Sequence, residues 1–455
     1  MKKVFVALML VTTLGASGCL AEPSGPIATP LPSVPPSSPA STAAPTEAPT
    51  TATPGPSLAP SPSATARPAA ADSFEGYRWT QAAITVNDHT LVSAIADTPV
   101  GLIAAGVNVE FPSLGATFAP SQDPLSSWYS VVVWTSPDGR AWTQEPDSAQ
   151  FGGGRPREIA ALGSTVLMFG IGGFCLPDAC SGLPPNGGTI VWATSDGHAW
   201  ERLVETGLED GAVMGVTVVD GGLVAVGYVA NDGSKPDEDQ FTDPTDAAVW
   251  RSSDGFHWDL VPDLPVADSL SSIRSSGSNL IAIGSKGYDS LVVWTSDSGG
   301  DAWSEGPAVS DFWNSIALAP DGRVVVVTDT NGDRIDGVIY ARPDPIDGRW
   351  RRSQPGIMNG YRPAQVVWAG ASFVVFGWTV HRDGALAFDD EQQTFASADG
   401  IDWVPTDLPS GWEGQAPVSV IEHQGDLVAL LGVLDTLNGP PTDIGYTMWT
   451  GTVPD

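Results

Sequence analysis

Trp250-Arg251-Ser252-Ser253-Asp254-Gly255-Phe256-His257-Trp258 is the stretch that decides the fold, because its nine-residue plan returns along the chain. WTSPDGRAW fills Trp134 to Trp142, WATSDGHAW fills Trp192 to Trp200, and FASADGIDW fills Phe395 to Trp403. Longer copies run from Trp294 to Trp303 and from Tyr340 to Trp350. An Asp-Gly pair between two β-rich runs predicts a tight hairpin. The pair supplies the positive φ angles such a turn needs, and the Ser and Asp oxygens accept the backbone N–H groups exposed there. The last Trp begins the returning strand, where an indole buries ~150–250 Å². Truncating such a Trp costs ~3–5 kcal/mol, against ~0.5–2 kcal/mol for a capping-type side chain. Asp138, Trp142, Asp196, Trp200, Asp254, Trp258, Asp399 and Trp403 are therefore read as structural residues, with the indoles dominant.

Closing Trp residues fall at 79, 142, 200, 258, 303, 350 and 403. They mark seven units. Within each unit a second phrase recurs: an apolar alternation, a Gly- or Asp-bearing turn, then an apolar run that usually ends in Gly. These runs end near Gly106, Gly170, Gly227, Gly284, Thr328, Gly377 and Gly432. Four strands per unit, repeated radially, predict an all-β, seven-bladed β-propeller, with Gly where one strand passes close to its neighbour. The last unit stops at Tyr446-Thr447-Met448-Trp449-Thr450, lacking a fourth strand, while the domain opens on Gly76-Tyr77-Arg78-Trp79-Thr80, a fourth strand lacking a blade. The N-terminal strand is thus expected to close the ring, removing an exposed edge.

The Ser/Thr-x-Asp-Gly-x-x-Trp phrases resemble the Asp-boxes of sialidase-type (BNR-repeat) β-propellers, over roughly residues 74 to 455. Asp138-Gly139, Asp196-Gly197, Asp254-Gly255 and Asp399-Gly400 lack the residue that the usual box carries between Asp and Gly, and sialidases have six blades where seven are counted here. The resemblance implies fold more than activity. A sialidase would carry a Phe-Arg-Ile-Pro phrase, three arginines that clamp a sugar carboxylate, and a Tyr with a carboxylate partner. No such phrase precedes the first blade.

Ahead of the propeller, residues 1–18 read as a lipoprotein signal peptide: Lys2-Lys3, the apolar run Val4 to Leu14, then Ala16-Ser17-Gly18 before Cys19. Ala16-Ser17-Gly18-Cys19 resembles the bacterial lipobox, which implies that Cys19 is lipidated and that the chain is anchored outside the cytoplasm by its lipid. Residues 19–72 are almost wholly Pro, Ser, Thr and Ala and cannot bury a core, so a partly extended tether is expected. The propeller then occupies 73–455. Across the whole chain, 40 Pro, 51 Gly and 16% charged residues suit a turn-rich β protein. A net charge of −33 repels polyphosphate and argues against nucleic-acid binding. In an oxidising compartment Cys175 and Cys180 are expected to form a disulfide closing a small loop.

The strand order puts the Asp-Gly turns and the first-to-second-strand turns on one face of the ring. Blade-to-blade connections and second-to-third-strand loops fall on the other, which is the expected ligand face. Trp128, Trp313, Tyr361, Trp378 and Trp412 fall at strand ends or connections near it. Aromatic platforms there suit stacking on sugar rings or packing against a partner's side chains. The plainer reading is that they plug the entrance or cover blade edges. Arg155, Arg157 and Arg362 lie on the same side, where loop salt bridges explain two of them. No catalytic residue can be selected from 53 acidic side chains. Asp329, Asn331 and Asp333 alternate like a calcium loop, but Arg334 replaces the sharp-turn Gly and no Glu closes it, so an Asn-Gly hairpin between Val324-Val327 and Val338-Tyr340 is favoured. No other cofactor is expected. The expectation is a monomeric, extracytoplasmic binding or scaffold module for a protein or glycan, with a sialidase-like glycoside hydrolase as the alternative.

Overall fold

The computed structural model describes residues 77–84, 86, 90–109, 129–146, 148–151, 154–172, 188–230, 245–262, 267–286, 291–309, 314–328, 338–343, 349–353, 361–379, 392–433 and 446–453. Cys19, Cys175, Cys180, Trp128, Trp313, Asp329, Asn331 and Asp333 lie outside them. The described strands make seven four-stranded antiparallel sheets, each a blade. Blade 1 is β2 (Thr90–Thr98), β3 (Gly101–Val109), β4 (Tyr129–Ser136) and β5 (Thr143–Gln144). Blade 2 is β6 (Arg155–Leu162), β7 (Thr165–Ile171), β8 (Thr189–Thr194) and β9 (Glu201–Arg202). Blade 3 is β10 (Gly211–Val219), β11 (Gly222–Ala230), β12 (Thr245–Ser252) and β13 (Asp259–Leu260). Blade 4 is β14 (Ser269–Ser276), β15 (Asn279–Ser285), β16 (Leu291–Ser296) and β17 (Ser304–Val309). Blade 5 is β18 (Asn314–Leu318), β19 (Val324–Thr328), β20 (Val338–Arg342) and β21 (Arg351–Arg352). Blade 6 is β22 (Tyr361–Ala369), β23 (Ser372–Thr379), β24 (Gln392–Ser397) and β25 (Val404–Thr406). Blade 7 is β26 (Gln415–His423), β27 (Asp426–Val433), β28 (Tyr446–Thr452) and, from the other end of the chain, β1 (Arg78–Gln81).

The first strands of successive blades touch in order around the ring, and β26 meets β2 to complete it. Closure follows the sequence expectation. Arg78, Trp79, Thr80 and Gln81 pair with Thr452, Gly451, Thr450 and Trp449. The chain then crosses to blade 1, where Ala83 N–H donates to Arg140 O and Ala83 O accepts from Trp142 N. The proposed hairpin of blade 5 is supported by its ladder, since Val324 to Thr328 pair with Arg342 to Val338.

Second-strand glycines are where backbones crowd. A Cβ on Gly227 would stand 1.8 Å from Ala212 O, and one on Gly106 would stand 2.2 Å from Leu91 O. A companion feature has no simple sequence signature: the first strand is bulged in every blade but the fifth, between Val92/Ala94, Pro156/Glu158, Val213/Gly215, Leu270/Ser272, Pro363/Gln365 and Pro417/Ser419. Blade 5 is also the one whose second strand ends in Thr328 rather than Gly, so glycine and bulge are lost together. An extra residue bends a strand and re-aims a side chain. Ser93 and Met214 are thus half-buried between buried neighbours.

Each Asp-Gly phrase folds as one cap. Asp254 Oδ1 accepts from the N–H groups of Phe256 (2.8 Å) and His257 (2.9 Å), Ser252 Oγ accepts from Gly255 N (2.8 Å), and Trp258 Nε1 donates to Gly255 O (3.2 Å). Asp196 and Asp399 repeat this pattern with Thr194, Trp200, Ser397 and Trp403. Only the glycine takes a positive φ (+76° at Gly139, +81° at Gly255). The expectation that both residues of the pair would do so is corrected: Asp works through its carboxylate, as an Asx cap, and not by a left-handed backbone. The closing indoles pack into the seam with the preceding blade. Trp258 meets Phe169 edge-on at 5.6 Å.

Candidate binding face

The first strands begin, and the second strands end, on the face opposite the Asp-Gly turns. Arg155 opens β6 there, paired with Ile171 at the end of β7. Its half-buried guanidinium reaches the field of Tyr446, the first residue of β28. Burial pushes the Tyr446 phenol up, and the Arg155 charge opposes that shift. Blades 2 and 7 thereby present a cation and a phenol on either side of blade 1. Tyr446 was hidden in the sequence, since it reads as part of a repeat phrase.

Arg157 is the bulged residue of β6, and its neighbour Glu158 follows on the same strand. Desolvation by the surrounding protein pushes the Glu158 carboxyl up, against the pull of Arg274 on β14 and of Arg157. Glu158 and Arg274 are further residues that sequence reasoning missed. Neither belongs to a motif, and only the bulge and the ring bring them within range. Arg362 lies on β22, its backbone paired with that of Trp378 on β23. It belongs to blade 6, whereas Arg155 and Arg157 belong to blade 2.

Two expected platforms are corrected by their burial. Trp412 is wholly buried, with Trp79 edge-on at 4.8 Å and Phe376 stacked at 6.0 Å. It offers no face to a ligand. The connection carrying it folds back over the gap between blades 6 and 7, against Trp79 of the closing strand. Tyr361 is equally buried, edge-on to Phe395 at 5.0 Å, with Oη donating to Gln393 O at 2.9 Å. Burial pushes its phenol well above the ordinary range. Both side chains fit the plainer reading, covering blade edges.

Described parts of the same face are braced by carboxylates and amides. In the connection between blades 2 and 3, Glu209 Oε2 accepts from Gly207 N at 2.8 Å and Oε1 from Thr206 Oγ1 at 3.0 Å. Between blades 6 and 7, Gln392 Oε1 accepts from Gly414 N at 3.0 Å. Among the described residues no group of three or more His, Cys, Asp or Glu is placed to hold a metal.

No protein-family model and no curated protein sequence matches the chain. Solved structures with a related arrangement include a YCF48 protein bound to a D1 peptide, at 14% identity and TM-score 0.48, covering 84% of this chain and 96% of that one. A Dyadobacter fermentans protein of unknown function has 14% identity and TM-score 0.45, covering 83% of this chain and 100% of that one. Trypanosoma rangeli sialidase in complex with the inhibitor DANA has 12% identity and TM-score 0.40, covering 66% of this chain and 54% of that one. These structures are what the chain is similar to; the described fold is an all-β, seven-bladed propeller.

Proposed function

We propose that this chain is an extracytoplasmic lipoprotein, anchored through Cys19, whose propeller binds a protein or glycan on the face opposite the Asp-Gly turns. The observation that carries the reading is the unequal treatment of the two faces. On the turn face, six of the seven first-to-second-strand connections are two residues long, and each complete Asp-Gly cap spends its carboxylate on its own backbone. On the other face the second-to-third-strand connections range from 286–290 to 110–128. A rigid scaffold that concentrates its variable chain on one side is built for recognition there. Arg155 and Tyr446 supply polar groups at its rim.

The test is capture by the full-length protein, in detergent, from the envelope of its own cells and on a glycan array. Replacing 110–128 and 173–187 with Gly/Ser linkers of equal length is expected to abolish capture, whereas substituting Pro99-Val100 on the turn face leaves it unchanged. Cys19→Ser is expected to release the protein from the membrane fraction. Turnover of chromogenic glycosides or sialosides, lost in Arg155→Ala, Arg157→Ala or Arg362→Ala, would overturn the binding reading in favour of a hydrolase.

A further inference from the structure

The four nine-residue Asp-Gly phrases share one sequence plan, yet one of them is capped differently. Oδ1 of Asp196, Asp254 and Asp399 accepts from the N–H groups two and three residues on and from the hydroxyl two residues back, at 3.0 Å from Thr194, 3.1 Å from Ser252 and 3.0 Å from Ser397. Asp138 Oδ1 accepts one such bond, from Arg140 N at 3.0 Å. Among the described residues, Ala141 N–H, the counterpart of Ala199, His257 and Asp402, makes no bond to it, and Ser136 Oγ accepts from Gly139 N at 2.9 Å without bonding the carboxylate. On that side of the turn the segment crossing from blade 7 is attached, with Ala83 N donating to Arg140 O and Trp142 N to Ala83 O. Solvent access and backbone do not distinguish the phrases. Asp138, Asp196 and Asp254 are all exposed, and the glycines after them have φ of +76°, +80° and +81°.

An Asp-Gly peptide carries a latent reaction. The glycine main-chain nitrogen attacks Cγ of the aspartic acid, an N–Cγ bond forms, a C–O bond of the carboxyl breaks, and the carboxyl OH leaves as water with the amide hydrogen. Water then reopens this five-membered succinimide. Attack at the former main-chain carbonyl leaves the chain running through Cγ, as isoaspartate of unchanged mass. Glycine obstructs the attack least, having no side chain. A complete cap opposes each step: it turns the carboxylate over the amides ahead, engages the nucleophilic N–H with a hydroxyl oxygen, and favours the carboxylate over the acid whose OH must leave. The carboxyls of Asp196, Asp254 and Asp399 all sit below their usual range. We propose that Asp138-Gly139 is a site of isoaspartate formation in the folded propeller, and that complete caps protect the same dipeptide in blades 2, 3 and 6. The modification falls where neighbours feel it. Gly139 O accepts from Thr450 Oγ1 at 2.9 Å, and Pro137 O lies 3.1 Å from Nε2 of His423, whose Nδ1 lies 2.9 Å from Asp97 Oδ1. An isoaspartyl link adds one CH2 to the main chain between those two carbonyls, so the modified turn cannot keep both contacts as they stand.

The experiment holds the folded full-length protein, in detergent, in 18O-labelled water at pH 7.4 and 37 °C. Label uptake and isoaspartate are followed at each Asp-Gly position by mass spectrometry with electron-transfer fragmentation. Asp220-Gly221, an exposed two-residue turn between β10 and β11 whose carboxylate accepts no hydrogen bond among the described residues, is the open reference. Isoaspartate is expected to accumulate at Asp138 at least about tenfold faster than at Asp196, Asp254 or Asp399, the factor that one hydrogen bond to a charged group supplies. In urea the four phrases are expected to react at similar rates, because the caps are gone. Ser252→Ala removes the acceptor for Gly255 N–H and a donor to Asp254, and is expected to raise the rate at Asp254 and nowhere else. Thr194→Val repeats the test at Asp196 should the first variant not fold. Asp138→Glu, whose ring would be six-membered, is expected to remove the signal at that position. Equal rates at Asp138 and the three capped positions in the folded protein, or a preference for Asp138 that persists undiminished in urea, overturns the proposal.

Discussion

Blade 3 and blade 7 solve the same problem, holding an outermost strand, by different means. In blade 3 the outer strand is only Asp259–Leu260, with ladder partners at Trp250 and Arg251. It returns through the short Asp-Gly turn, so its position is enforced locally by Ser252, Asp254 and the Trp258 indole. The outer strand of blade 7 arrives from the opposite end of the chain. Closing a loop of domain length has an entropic cost that grows as about (3/2)RT ln n, and the structure offsets it with more contact. Four consecutive pairs join β1 to β28, Ala82 N donates to Met448 O at 2.7 Å, and Trp79 packs on Trp412. A covalent turn lets a strand be short, whereas a recruited strand needs a longer ladder and an aromatic clasp.

Breaking the clasp is expected to have the largest effect. Trp412→Ala removes a fully buried indole that touches Trp79, Phe376 and Trp449, and should lower unfolding free energy by ~3–5 kcal/mol. Urea unfolding would measure this, with amide protection lost first in β1 and β28. Trp258→Ala, at an indole slightly less buried than Trp412, is expected to cost about 3 kcal/mol. Its protection loss should fall on β13 and the seam with blade 2, leaving β1 as before. If Trp258→Ala instead released β1, the outer strands would not be held independently and the contrast between the two blades would fail. Ser252→Ala is smaller, about 1 kcal/mol, since it removes the acceptor for Gly255 N–H and one donor to Asp254 Oδ1 but leaves that carboxylate its contacts with the Phe256 and His257 N–H groups. Thermal unfolding of this variant beside wild type is sufficient to test it.

The blade count, the turn chemistry and the closing strand were legible because each rests on local sequence that repeats. Asp-Gly followed by Trp names a hairpin and its pin in nine residues, and the orphan strand at Trp79 could be matched to the orphan gap after Trp449. The site was less legible. Trp412 looks like a platform because it sits in a connection between strands, but it packs against the closing Trp79 and against Phe376 and so fills the seam between blades 6 and 7. Glu158 and Arg274 come together through a one-residue bulge and the curvature of the ring, neither of which any periodicity encodes. His423 is likewise an ordinary residue in sequence. Its partners, Asp97 and Pro137, are remote in the chain and meet it only when the ring is shut.

The smallest expected effect separates the two kinds of blade by acid. Hydrogen bonds from Ala199 N–H and His198 N–H, and then from Thr194, hold the Asp196 carboxyl down to about 2. The Asp254 carboxyl is held lower than usual by the His257 side chain and then the His257 and Phe256 N–H groups. At Asp399 burial acts upward but is outweighed by N–H groups from Asp402 and Ile401. In each case the folded state favours the carboxylate, so the stabilisation is present above the ordinary carboxylate range and is lost as pH falls through the lowered folded values. Between about pH 4 and pH 2, amides in the Asp-Gly turns of blades 2, 3 and 6 should therefore lose protection before those of β1 and β28, which carry no such carboxylate. Asp254→Asn should abolish the acid response of blade 3 alone, with a modest change at neutral pH because the side chain is half exposed and solvent screens it. Acid loss that began instead at β1, ahead of the turns, would mean that the aromatic clasp depends on the carboxylates it was taken to replace.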